Sequence, residues 1–237
     1  MQAPPPIQPR LAPMAGAVMR GTWVLWLLLV IGHVATQLTW RFRYSVPEDL
    51  RPLLNMSDEQ SLLTWLTVCM GFVLGVSCLL AWRLTQQLGW LAVGALFLYI
   101  SFDDATMLHE RIGWMIERKE GYGDVYRWVQ WIGPVYGLAG IAAFAFLWRV
   151  FRGNIDSRRR VFTAFACLGM ALVFEVFEHP LHESSMAWRG FSIERYTILL
   201  EESLELLAPA ILFSVIGGFV EKRYLESYRQ RVGASND

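Results

Sequence analysis

Residues 61–82 read SLLTWLTVCMGFVLGVSCLLAW, twenty-two positions without one charged side chain. A helix rises about 1.5 Å per residue, so this run alone spans the roughly 30 Å hydrocarbon core of a bilayer. Five more runs of similar length flank it: residues 22–40, 88–108, 128–148, 161–179 and 198–220. Spacing of this kind predicts an all-α, polytopic membrane bundle of six transmembrane helices. The expected division is a flexible N-terminal tail (residues 1–21), a transmembrane domain (22–220) and a C-terminal tail (221–237).

Composition agrees. Of 237 residues, 54% are hydrophobic and 18% charged, against about 25% charged in soluble domains. The 21 basic and 21 acidic side chains cancel, which leaves no basic face for nucleic acid. Disorder is excluded for most of the length by the same apolar content.

The charges also orient the chain. With the N-terminus in the cytoplasm, the cytoplasmic segments hold 12 basic and 4 acidic residues, and the opposite side holds 9 basic and 17 acidic. The segment RVFRGNIDSRRR supplies Arg149, Arg152, Arg158, Arg159 and Arg160. This is the positive-inside asymmetry, and an even span count returns the C-terminus to the cytoplasm. The Pro/Ala-rich start carries no cleavage site after an apolar run, so the first span reads as an anchor. Trp23, Trp40, Trp128, Trp131 and Trp148 at span ends fit an aromatic belt. Ser57, followed by Asp58, Glu59 and Gln60, reads as a capping box before the second span. Cys69 and Cys78 are nine residues apart and point to opposite faces of one helix. With Cys167, they read as small packing residues.

Ionisable residues inside spans are costly and mark function. Asp103, Asp104, His109 and Glu110 end the third span in SFDDATMLHERIG. Glu175, Glu178, His179, His182 and Glu183 end the fifth, in FEVFEHPLHE. Glu201, Glu202 and Glu205 open the sixth, in LLEESLELLAP. All three clusters, and His33 in the first span, fall in the outer half of the membrane. Glu175, Glu178, His179 and His182 stand at helical spacings of one face, as do Asp103 and Glu110, and Glu201 and Glu205. Pro180 is expected to bend or end its helix near residues 176–179.

Polar stripes on three helices at one depth are expected to face each other in an outward-facing site. So many carboxylates repel unless neutralised. A carboxylate and imidazole set suits a divalent metal: zinc, iron or manganese. The candidate metal ligands are Asp103, His109, Glu110, Glu175, Glu178, His179, His182, Glu202 and Glu205. Glu178, His179 and Glu202 are the candidate catalytic residues. Asp104 and Glu201 read as supporting partners. A buried ion-pair network is the structural alternative.

The motifs Asp103-Asp104-x4-His109-Glu110 and Glu201-Glu202-x2-Glu205 resemble those of small bacterial multipass inner-membrane proteins of unknown function. That resemblance implies a bacterial inner-membrane protein and carries no activity. The order of Ser101, Asp103, His179 and His182 does not fit membrane zinc hydrolases of the alkaline ceramidase type. Three functions compete. One is a metal-dependent enzyme acting at the outer face on a lipid or lipid-linked substrate, with metal-bound water as nucleophile. Another is a non-catalytic metal- or proton-binding or transport component. The third is an accessory subunit of a larger membrane complex, with a membrane-protein partner or a second copy. Lipids are the expected surroundings in all three. HExxH, GxSxG and P-loop signatures are absent from the sequence.

Overall fold

A computed structural model of the chain describes residues 13–42, 51–55, 61–108, 111–112, 115, 133–183, 187–188 and 191–233. Side chains are described there except at 13–15, 36–42, 51–52, 175–183, 187–188, 191–196 and 231–233. The fold is helical. Among the described residues, six long helices and one short turn follow in order: α1 (Pro13–Phe42), α2 (Arg51–Leu54), α3 (Leu62–Thr85), α4 (Leu88–Thr106), α5 (Gly133–Val150), α6 (Ile155–Glu183) and α7 (Ile193–Gly233). Between α6 and α7, Ala187–Trp188 and Phe191–Ser192 form a short antiparallel ladder.

Five helices (α1, α3, α4, α5 and α7) are long and apolar enough to cross a membrane. The sixth, α6, has no Asp, Glu, Lys, Arg or His between residues 161 and 174. Water-soluble helices keep one polar face. Here the outward faces are apolar too: Leu88, Leu138 and Ile141 are 73%, 70% and 66% exposed. Only lipid makes such a surface stable, and the chain is a multi-pass membrane protein.

Small residues set the closest packing. Gly71 and Gly75 on α3 are four apart, a small-xxx-small pair that lets helix backbones approach. A Cβ on Gly75 would stand 3.1 Å from the Gly94 carbonyl oxygen and 2.7 Å from Leu98 Cγ. One on Gly71 would stand 3.3 Å from Ser101 Cβ. The hairpin between α3 and α4 closes through Gln86, in the left-handed region at φ 57°, whose N–H donates to the Trp82 carbonyl at 2.7 Å. At the same end Trp90, fully buried, stacks on Phe219 and meets Phe146 and Phe151 edge-on. The start of α4, the end of α5 and the second half of α7 therefore share one end of the bundle. The core continues through Leu63, Leu74, Cys78, Leu147, Val161, Leu206, Leu212 and Ile216. Cys78 is buried and Cys69 exposed, the opposite faces their spacing predicts.

Several boundaries differ from the sequence reading. The cap of α3 is Ser61, whose Oγ accepts from the Thr64 N–H at 3.2 Å. The capping box expected at Ser57 lies outside the described residues. α1 starts at Pro13, nine residues before the expected span. α6 is helical through Pro180 to Glu183 and does not end near residue 179. α7 is 41 residues long, about 60 Å, so it runs on through most of the segment expected as a tail. α4 stops at Thr106, where Met107 takes a left-handed conformation (φ 52°) and donates its N–H to the Asp103 carbonyl. The face expected to be shared by Asp103 and Glu110 falls partly outside the described residues, since Glu110 is not among them.

Candidate functional site

Asp103 is the best-defined of the intramembrane acids. It lies in the last turn of α4, is 3% exposed, and accepts a 2.5 Å hydrogen bond at Oδ2 from the Tyr136 phenol of α5. Tyr99, one turn earlier on α4, packs beside Tyr136 with ring centroids 6.0 Å apart. Two residues before Asp103, Ser101 Oγ donates to the Val68 carbonyl of α3 at 2.8 Å. The carboxylate thus accepts from a phenol on α5, while the α4 turn that carries it is tied to α3 through Ser101.

The register of the neighbouring helices follows from other contacts. Trp26 Nε1 of α1 donates to Ser203 Oγ of α7 at 3.1 Å, and that hydroxyl donates onward to the Leu199 carbonyl at 2.6 Å. One turn earlier on α1, Thr22 Oγ1 meets Met70 Sδ of α3 at 3.8 Å. The Ser203 turn of α7 is thereby tied to α3 close to the Val68 turn that holds Ser101. Glu201, Glu202 and Glu205 flank Ser203. Glu201 is buried, and Glu202, Glu205 and Asp104 are half-buried. These acids and Asp103 share one depth of the bundle.

Two further polar features belong to that depth. Thr67 is 8% exposed and its hydroxyl has no hydrogen-bond partner among the described residues. On α3 it lies between the Gly71 face, which meets α4, and the Met70 face, which meets α1, and so it faces the bundle interior. Pro209 lies inside α7. It has no N–H, so the Glu205 carbonyl four residues earlier loses its helical donor. His33 is buried; next to it on α1, a Cβ added to Gly32 would stand 3.2 Å from Leu54 Cδ2 of α2. His33, Asp103, Asp104, Thr197, Glu201, Glu202 and Glu205 each engage a neighbour by a hydrogen bond, ion pair, ring contact or other electrostatic contact.

Of the expected ligands, Asp103 on α4 and Glu202 and Glu205 on α7 are those whose side chains are described. Glu175, Glu178, His179, His182 and Glu183 all fall on α6, but their side chains lie outside the described residues. His109 and Glu110 lie outside them entirely. Among the described residues, no three His, Cys, Asp or Glu side chains group closely enough to hold a metal ion.

The sequence reading missed Tyr136, Ser203 and Thr67, and weighed Ser101 only against a hydrolase pattern that it does not fit. A lone tyrosine or hydroxyl inside a span carries no signal by itself. Only the pairing of α4 with α5 and of α1 with α7 gives them roles.

Six long helices, apolar on their outer faces and carrying buried carboxylates inside, define a polytopic integral membrane protein. The chain belongs to the family described as a domain of unknown function, DUF8692, which matches residues 20–217. No curated protein and no solved structure matches it. The matched region starts in α1 and ends in α7, so it takes in every acid of the candidate site.

Proposed function

We propose that the chain is a bacterial inner-membrane protein with both termini in the cytoplasm, whose outward-facing site binds a divalent metal (zinc, iron or manganese) and acts on a lipid or lipid-linked substrate. The carrying observation is Asp103: a carboxylate 3% exposed inside an apolar bundle, at one depth with Glu201, Glu202 and Glu205. Burying acids in lipid is costly unless they have work to do or partners to meet. Asp103, Glu202 and Glu205 supply the oxygen ligands. His179 and His182, with Glu175 and Glu178 on the same helix, supply imidazole and further carboxylate. His109 and Glu110 complete the set from the segment after α4. Such a metal would supply Lewis-acid activation of water and substrate, and Glu178 or Glu202 would be the base.

A second reading, a proton-binding component without catalysis, rests on Tyr136. Its phenol already satisfies one oxygen of Asp103 at 2.5 Å, as suits a carboxyl group neutralised by protons and protein donors. Elemental analysis of detergent-purified protein separates the two. The expected result is a stoichiometric metal in the wild type that is lost in a His179→Ala/Glu202→Ala double variant. Equal, trace metal in both, after purification without chelator, rejects the metal reading in favour of the proton-binding one.

A further inference from the structure

At the opposite end of the bundle from the acids, the α5–α6 turn carries five arginines in twelve residues, Arg149 to Arg160. The turn is tightly built. Asn154 caps α6, its Oδ1 accepting from the Asp156 and Ser157 N–H groups at 3.1 Å each. The Arg158 guanidinium lies flat over the Trp148 ring, with Cζ 3.8 Å from the centroid. Its Nε is buried and has no hydrogen-bond partner. Arg160 reaches the Ser214 hydroxyl of α7 at 3.5 Å, while Arg149, Arg152 and Arg159 are exposed. Among the described residues at this end, the one ion pair is Arg223 with Glu226 at 3.7 Å, on α7. Among the described residues, the arginines of the turn form no ion pair with a carboxylate.

A guanidinium pinned on an indole is a fixed fork, and no carboxylate among the described residues occupies it. Arginine forks match phosphate oxygens through a pair of N–H donors, here those of the two terminal nitrogens. The surface beneath says which phosphate. Ile155, Arg158, Arg159 and Phe162 recur at i, i+3, i+4 and i+7 on α6, one face of the helix. Ile155 and Phe162 are 60% and 59% exposed. Arginines therefore sit at the level of Trp148, a belt position, with bare apolar surface one turn deeper. A free phosphate uses the first feature only. A phospholipid uses both.

We propose that the Arg158 face of α6 binds the phosphate of an anionic phospholipid, with its acyl chains lying along Phe162. The site is remote from the acids and stands independently of any activity there.

Native mass spectrometry of the full-length, delipidated protein in detergent tests this. The probes are dioleoylphosphatidylglycerol, dioleoylphosphatidylcholine and inorganic phosphate. About tenfold stronger retention of phosphatidylglycerol than of phosphatidylcholine is expected. Arg158→Gln should lower that retention at least fivefold, Arg229→Gln on the exposed end of α7 should leave it unchanged, and inorganic phosphate should not displace the lipid. Equal retention of the two lipids, or no effect of Arg158→Gln, overturns the proposal. Displacement by inorganic phosphate also overturns it, in favour of a free-phosphate site. Should Arg158→Gln fail to fold, Arg158→Lys decides: it keeps the charge and loses the fork, so retention should fall about threefold, and unchanged retention overturns the proposal.

Discussion

The Tyr136 phenol donates a 2.5 Å hydrogen bond to Oδ2 of Asp103, and this contact joins α5 to the acid-bearing end of α4. The second half of α5 packs through Ala143, Phe146 and Leu147, whereas its first half is lightly held. A Cβ on Gly137 or Gly140 would meet nothing within 4 Å, and Leu138 and Ile141 look outward. The Tyr136 contacts with Asp103 and Tyr99 therefore fix where this half of the helix sits against α4.

Removing the hydrogen bond should be measurable. Tyr136→Phe keeps the ring and deletes the donor, leaving a buried carboxylate oxygen short of a partner. A loss of about 1–2 kcal/mol is expected, within the range for buried and interhelical hydrogen bonds. Thermal unfolding in detergent reads it. A double-mutant cycle with Asp103→Asn should show the two effects to be non-additive. Fully additive effects would mean that the phenol and the carboxylate do not act together.

The α3–α4 interface makes a second prediction. A Cβ on Gly75 would meet the backbone oxygen of Gly94 at 3.1 Å as well as Leu98, and a helix backbone cannot rotate away as a side chain can. Gly75→Ala should destabilise by about 1–3 kcal/mol through overpacking. Gly218 on α7 meets nothing within 4 Å, so Gly218→Ala should be neutral or slightly stabilising, since alanine is the better helix former. Equal effects on the melting temperature would show that α3 and α4 are not packed at this distance.

These contacts mark the limit of what the chain reveals by itself. Apolar runs locate all six long helices because a bilayer demands about 20 apolar residues at each crossing. They do not locate the ends. α7 continues past Val220 because EKRYLESYRQR is polar yet strongly helix-forming, with Arg223 and Glu226 paired at i, i+3. α4 stops at Thr106 through the backbone of Met107, a conformation that residue type does not announce. The acids were visible as clusters because charge inside a span is rare. Tyr136 was not, because its meaning depends on which helix lies beside α4. The small residues Gly71 and Gly75 show a spacing, and the partner helix supplies its meaning.

Orientation rests on charge and is checked by location. Reporter fusions after Arg160 and after Gly190 should lie on opposite sides of the membrane, the first cytoplasmic and the second periplasmic. The arginine-rich α5–α6 turn sets the first expectation, since basic segments are retained in the cytoplasm. Both reporters on one side would remove α6 as a crossing helix. The reverse arrangement would place the acids in the cytoplasmic half and end the outward-facing reading.

The metal reading has a consequence for stability that needs no substrate. A metal held by carboxylates from α4 and α7 and imidazoles from α6 binds the folded bundle and not the separated helices. It therefore stabilises by RT ln(1 + [L]/Kd), about 2.7 kcal/mol at a hundredfold excess over Kd. Zinc, iron(II) or manganese added to metal-stripped protein should raise the melting temperature, and a chelator should reverse the rise. Glu202→Gln and His179→Ala should each abolish the response, because each removes one ligand, while Arg229→Gln should keep it. A melting temperature indifferent to all three metals, together with a stability loss in Tyr136→Phe, would assign neutralisation of these acids to protons and protein donors. The site would then hold protons and no metal.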